Sequence, residues 1–424
     1  MLIKNAKFIV TQNPEREILE KKDIIVEGGR IKKIGEDLNY DGEDFDASEK
    51  IVAPGLINCH SHSPLALFRG TSDKKGLDEW LQEDIMPREE VLTKNQVYHG
   101  SLLSLMEKVA TGTTTFCEMY SYNDTIIKAI KRIGIRAFVS CGLKDSGEKN
   151  IGEIIEKQKN TLQRIKEDES ELVKPALGLH WSLTCSDSLI KEVIDLDDNL
   201  PIFMHISENE KEVIKNLEKY NKRPVERLEN IGALNENFIA VHAVQVSDEE
   251  IEALADNNCK VVHNPTSNMK LADGVIPLKK MKEKGICVSL GTDSVASNDN
   301  MNLFEEMKIA SLLQKVDKMD PSLLDAQETF DMVTTNASAI CKEGMIGSIE
   351  EGNYADMIFI DVENKSLNPA LKKETVLKNL VYAFDGNVND VMVNGNFIMK
   401  NRTFINLDQK EIYQKVKEFS KEEE

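Results

Sequence analysis

The sequence predicts a (β/α)8 barrel carrying a small β-sandwich domain built from both chain ends, and three observations predict it. Between residues 51 and 291, eight short apolar runs alternate with longer amphipathic stretches, the signature of repeated βα units around a parallel sheet. The two chain ends share another texture, short strands broken by tight turns. Six of the seven histidines fall at or just past the ends of the apolar runs, the rim where a barrel gathers its chemistry.

Taken in order, residues 2–11, 23–26 and 30–34 read as strands, the last two separated by Gly28 and Gly29. The eight barrel strands are then 51–59, 113–119, 136–143, 175–180, 201–206, 238–244, 260–263 and 287–291. Helical periodicity covers 96–110, 151–167, 210–220 and 248–257 between them, and 323–340 fits the last barrel helix. Strands return at 354–361, 388–393 and 397–400, the last two joined across Asn394-Gly395-Asn396, and 409–424 fits a terminal amphipathic helix. The expected division is a catalytic barrel over 54–346 and a small β domain from 1–53 plus 347–424.

The chain has 424 residues, 41% hydrophobic and 30% charged, which suits a globular protein with a large core. Lys and Arg total 53 against 73 for Asp and Glu, and the net charge of -20 repels phosphates and anionic headgroups. Nucleic acid and membrane are therefore not expected partners. No run resembles a secretory signal or is long enough to span a bilayer. The seven cysteines are scattered without a CxxC pair, as expected of reduced thiols in a cytoplasmic protein.

His60 and His62 are the sharpest local feature, since strand residues two apart point the same way and can aim two imidazoles at one ion. His205 at the fifth strand end and Asp293 at the eighth supply a third nitrogen and an oxygen. Such a set with an open position describes a catalytic divalent site, for which zinc is the first expectation and Fe(II) or Mn(II) are alternatives.

The segments Pro54-Gly-Leu-Ile-Asn-Cys-His-Ser-His62 and Leu290-Gly-Thr-Asp-Ser294 resemble the amidohydrolase superfamily, and the similarity covers nearly the whole chain. Residues 80–89 (WLQEDIMPRE), His205-Ile-Ser-Glu208, 263–271 (HNPTSNMKL) and 291–298 (GTDSVASN) resemble more narrowly its methylthioadenosine/S-adenosylhomocysteine deaminases, including those of 5′-deoxyadenosine type. The resemblance implies one metal ion on His60, His62, His205 and Asp293, and hydrolysis of the purine 6-amino group to an inosine-type product and ammonia. It implies Glu208 as proton shuttle, and Glu89 and His180 as substrate contacts, with Glu89 on the ribose hydroxyls. Glu208 and Asp293 then also meet the substrate at its reacting end. His242, at the sixth strand end, is placed to hydrogen-bond the attacking oxygen and counts with Glu208 and Asp293 as catalytic. By analogy the chain is also expected to form a homo-oligomer.

Some residues invite plainer readings. A glutamate near a helix start ordinarily complements the helix dipole, and only the His205-to-Glu208 spacing with the resemblance overturns that for Glu208. His263 is expected to support neighbouring groups, Trp80 to shape the mouth or staple its segment, and His99 to lie on a helix surface. Where S-adenosylhomocysteine-using relatives carry arginines, this chain has Cys141 and the loop 144–150 with Lys144 and Lys149. A lysine supplies a point charge but no bidentate fork, which favours neutral 5′ groups, as in 5′-deoxyadenosine, methylthioadenosine or adenosine. The alternative is a deaminase or chlorohydrolase acting on a free base such as guanine or cytosine, or on a triazine. A non-catalytic relative of the fold would ordinarily lack the ligands or the shuttle.

Overall fold

The structure, a computed structural model, describes residues 1–145, 150–369 and 371–422. Lys149 and the last two residues of the expected terminal helix lie outside the described residues; Gln409–Glu422 is helical.

The chain ends meet in one nine-stranded sheet. Its order runs Thr403–Phe404, Asn396–Lys400, Asp390–Val393, Met357–Asp361, Lys50–Pro54, Leu2–Val10, Ile18–Glu27 and Arg30–Gly35, with Asp44–Asp46 also paired to Leu2–Val10. The seam is antiparallel, Met357 opposite Pro54 and Ile360 opposite Ile51. Ile3, Ile24, Val52, Met357, Phe359 and Met392 come from both halves and share one apolar core. Asn394 and Gly395 both take positive φ, 48° and 73°, which twists the 390–400 hairpin tightly enough for a short turn.

Eight parallel strands form the barrel: β1 Leu56–Ser61, β2 Thr113–Met119, β3 Arg136–Ser140, β4 Leu177–Trp181, β5 Ile202–Ile206, β6 Phe238–His242, β7 Lys260–His263 and β8 Val288–Leu290. Continuous pairing joins β1 to β3 and β4 to β8. Single bridges between Leu143 and Leu179, and between Ser61 and Asp293, link the two arcs into a ring. Alternate strand residues such as Cys117, Phe203, Ile239 and Val262 fill the barrel interior, while Phe116, Met204, Ala240 and Val261 pack against the helices. Among the described residues, no helix is long and apolar enough to cross a membrane.

Two sequence expectations need correction. The run 51–59 is not one strand: Lys50–Pro54 belongs to the terminal sheet and β1 begins at Leu56. Gly55 makes the change of sheet, at a position where a Cβ would sit 1.9 Å from Thr114 Oγ1. Likewise 323–340 is two short helices, Ala326–Asp331 and Thr335–Ile340, because Thr334, with φ -132° and ψ -96°, breaks the helical backbone between them. A long helix, Leu303–Lys318, precedes them.

Candidate active site

The residues expected to act together converge at the C-terminal ends of the strands. His60 lies one residue before the end of β1, where the pairing with β2 is irregular between Asn58 and Ser61, and such an irregularity can re-aim a side chain. Asn58 ties this strand end to that of β8, donating to Thr292 Oγ1 at 2.7 Å while its Oδ1 accepts the Thr292 N–H at 3.1 Å. The Asp293 N–H then reaches the His60 carbonyl at 3.0 Å, and Asp293 takes φ 60° to turn its carboxylate toward the histidines.

His62 Nδ1 donates to the Met119 carbonyl at 2.5 Å, and His205 Nδ1 donates to the carbonyl of His180. Each bond fixes a tautomer whose Nε2 presents a lone pair. His205 Nε2 lies 3.1 Å from His60 Nε2, and Asp293 Oδ1 lies 3.5 Å from His60 Nε2 and 3.4 Å from His62 Nε2. Nitrogen lone pairs facing each other in a buried site repel unless a cation sits among them. A tetrahedral ion about 2.1 Å from each ligand holds its ligands about 3.4 Å apart, close to these separations. His60, His62 and Asp293 therefore form one donor group that fits a divalent ion, and His205 adjoins it through His60. The other carboxylate oxygen, Asp293 Oδ2, accepts from Ser267 Oγ at 2.6 Å and Ser297 Oγ at 2.9 Å.

His242 lies close enough to form an alternative donor group with His60 and His205. Its Nδ1, however, accepts amide N–H groups from Asn268 at 3.0 Å and Asn264 at 3.3 Å. The ring proton then resides on Nε2, which makes this face of His242 a donor and not a ligand. That nitrogen lies 3.5 Å from Glu208 Oε1. Positive φ at His242 (74°) and at Ser207 (49°) bends both strand ends so that these side chains face each other.

Burial drives the site's titration. It lowers His60 and His205, and takes His180 and His242 down to about 3, so these rings are neutral near pH 7. Burial, with Asp273 and Asp293 nearby, holds Glu208 well above the usual carboxylate range. For Asp293 burial also pushes upward, but its histidine neighbours, His60 first and then His62 and His242, outweigh it and hold the carboxyl well below its usual range. Two neighbouring carboxyls are thus driven apart, an acid and a base side by side.

Glu89, His180, Glu208, His242 and Asp293 all line one cavity, with Trp80 and Lys144 in its wall. Glu89 ends a helical run from Leu77 that includes a π turn at Leu81–Ile85. Ion pairs Lys215–Asp78 and Lys75–Asp84, at 2.7 and 2.9 Å, pin that run over the mouth. The buried Tyr120 hydroxyl beside Glu89 is pushed well above its usual pKa, first by burial and then by that carboxylate. His180 Nδ1 is engaged with Thr184 Oγ1 at 2.9 Å.

His263 is not joined to these groups: it is buried with neither ring nitrogen bonded to the protein. His99 lies on the helix Lys94–Ala110, with Nδ1 on the Asn95 carbonyl and its ring against Phe419. His99→Ala is expected to leave metal content and turnover unchanged, checked by elemental analysis and steady-state rates.

Sequence reasoning assigned no role to Asn58, Asn264, Ser267, Asn268 or Ser297. All five flank the motif histidines or Asp293, and their polar, short-chain character inside apolar surroundings was the available signal.

The profile of the amidohydrolase family matches residues 51–398. A 5′-deoxyadenosine deaminase of Methanopyrus kandleri is 39% identical over 412 residues, covering 95% of each chain. A 5-methylthioadenosine/S-adenosylhomocysteine deaminase of Thermococcus sibiricus is 40% identical over 405 residues, covering 94% of each. The crystal structure of an adenosine deaminase from Xanthomonas campestris with bound zinc superposes with TM-score 0.93 at 29% identity, covering 99% of this chain and 98% of that one.

Proposed function

The chain belongs to the amidohydrolase family, and from that premise we propose that it is a metal-dependent deaminase of adenosine-type nucleosides. The reaction replaces the purine 6-amino group by oxygen and releases ammonia. The observation that carries this reading is the meeting, in one cavity, of His62, His205 and Asp293, with His60 buried behind them, and of Glu208, His242 and Glu89.

His60, His62, His205 and Asp293 would hold the divalent ion, for which the three imidazoles and one carboxylate favour zinc. When bound, such an ion lowers the pKa of water toward about 7 and makes a nucleophile available at neutral pH. Asp293, ionised and itself one of these donors, accepts the proton of the attacking water and passes it to the departing 6-amino group, which leaves as ammonia as the C6–N bond breaks. Glu208, kept protonated by burial, gives its proton to ring nitrogen N1, without which C6 of an aromatic purine is a poor electrophile. The Nε2–H of His242 points to where the attacking oxygen gathers charge. All of these residues fall within 54–346, which we assign as the catalytic barrel, with 1–53 and 347–424 as the small β domain.

Glu89 is the natural double acceptor for vicinal ribose hydroxyls, and His180 lies toward the 5′ end. Lys144 lies in the cavity wall, and no arginine among the described residues lines it. Neutral 5′ substituents are accordingly the preferred substrates. The seven free cysteines suit a reducing compartment, and we place the enzyme in the cytoplasm. Leu312 and Val316, exposed along one face of the helix Leu303–Lys318, and Met319 just past its end support the expected homo-oligomer.

The test is ammonia release by metal-loaded protein across adenosine, 5′-deoxyadenosine, methylthioadenosine, S-adenosylhomocysteine, adenine and guanine. Neutral 5′ nucleosides are expected to lead. Reaction with a free base alone would overturn the nucleoside assignment while leaving the metal centre standing. With the best nucleoside, Glu89→Gln is expected to lower kcat/KM about 10–100-fold with metal content unchanged, since one charged acceptor for a hydroxyl pair is lost.

A further inference from the structure

Behind the metal-binding face, in the layer between barrel and helices, lies a charged pair that the reaction does not use. Glu118 on β2 and Lys108 on the helix Lys94–Ala110 are 1% and 0% exposed. Burying two charges costs several kcal/mol each unless their hydrogen bonds are nearly complete. Here most of those bonds come from one short segment of chain. Glu118 Oε1 accepts the Ser63 N–H at 2.8 Å, and Glu118 Oε2 accepts the hydroxyls of Ser63 at 2.5 Å and Ser61 at 3.2 Å. Lys108 Nζ donates to the same Ser63 Oγ at 3.0 Å and to Ser104 Oγ at 2.7 Å. The residue between the two gripped serines is His62.

The neighbours of Glu118 complete the grip. The Cys117 carbonyl shares the Ser61 hydroxyl proton with Glu118, also at 3.2 Å, and the Met119 carbonyl accepts the His62 Nδ1–H at 2.5 Å. Three successive residues of β2 thus hold the last residue of β1 and the two that follow it. This matters because the ladder between those strands is irregular after Asn58 and ordinary pairing does not carry His62, which lies beyond the strand and is the least buried of the proposed ligands. A ligand on an unpaired segment wanders unless something else fixes it.

We propose that the buried Glu118–Lys108 pair, acting through Ser61 and Ser63, is a positioning device for His62 and sets how tightly the metal centre retains its ion. The inference rests on His62 being a ligand. Partners behind metal ligands typically contribute 10–100-fold in affinity. Glu118 and Lys108 touch neither substrate nor ion, so their effect passes through the placement of one imidazole.

The experiment measures metal affinity by competition with a chelator, on full-length protein whose fold is verified by circular dichroism. The double variant Glu118→Leu/Lys108→Met removes the grip without leaving an unpaired buried charge. It is expected to bind metal about 10–100-fold more weakly, and to regain near-normal KM, with kcat still reduced, once metal is saturating. Restoring hydrogen-bonding capacity in Glu118→Gln/Lys108→Met should recover part of the loss. Ser63→Ala breaks only the bridge between the two charges and is expected to weaken binding several-fold, and it decides the matter if the leucine variant does not fold. His62→Ala separates the two readings. If it weakens metal binding while the folded double variant, or Ser63→Ala in its place, binds as tightly as wild type, the positioning role falls and the ligand assignment stands. If His62→Ala itself binds metal normally, the ligand assignment falls and the positioning role with it.

Discussion

Glu208→Gln is expected to keep its metal and lose turnover by about 10²–10⁴-fold, the range general acid–base catalysis contributes. The substitution is local. The Glu208 backbone N–H is held by Glu212 Oε2 at 2.8 Å, and Glu212 is in turn fixed by Ser182, so the side chain does not determine where its own backbone sits. Glutamine fills the same 5%-exposed space and can still meet His242 Nε2, but it has no proton to transfer to N1. Metal content stays because Glu208 is not among the four converging donors. The pH dependence has a definite sign: burial raises the Glu208 pKa, the acid form is the working form, and it exists below that pKa. Wild-type kcat/KM should therefore fall on the alkaline side as Glu208 ionises. Metal analysis beside a pH–rate profile checks both statements, and full activity in the variant would remove Glu208 from the proton path.

The barrel strands and the gathering of His60, His62, His205 and Asp293 at one rim were legible because both are local signals. An apolar run of a few residues announces a buried parallel strand, and histidines at the ends of such runs announce the working rim. What escaped depends on contacts across the chain. The run 51–59 reads as continuous because nothing in its hydrophobicity records that Gly55 passes against Thr114 and changes sheets. The donor role of His242 is set by Asn264 and Asn268, more than twenty residues away, so its tautomer cannot be read from its own surroundings in sequence. The grip of Glu118 and Lys108 on Ser63 likewise joins residues 45 to 55 positions apart. His263 shows the converse, since its place at a strand end gives it the same sequence signal as the ligands without a partner in the site.

Asp293→Asn should produce two defects that can be separated. The first is metal loss, by at least the roughly 10–100-fold that removing a partner behind a ligand costs. Asparagine can turn its carbonyl oxygen toward His60 and His62, but that oxygen is neutral. The amide nitrogen then occupies the position of Oδ2, where Ser267 and Ser297 donate at 2.6 and 2.9 Å, and both hydroxyls must rotate to accept instead. The second defect is chemical. Wild-type Asp293 is held ionised against its burial by its histidine neighbours, His60 first and then His62 and His242, which is what a group receiving the water proton needs. An amide cannot receive it. Saturating metal should therefore refill the site without restoring the rate, leaving kcat lower by about 10²–10⁴-fold at full occupancy. Titrating metal into the variant while recording bound metal and turnover together distinguishes the roles: turnover that returns in step with occupancy would make Asp293 a ligand only, and the proton would need another acceptor in the cavity.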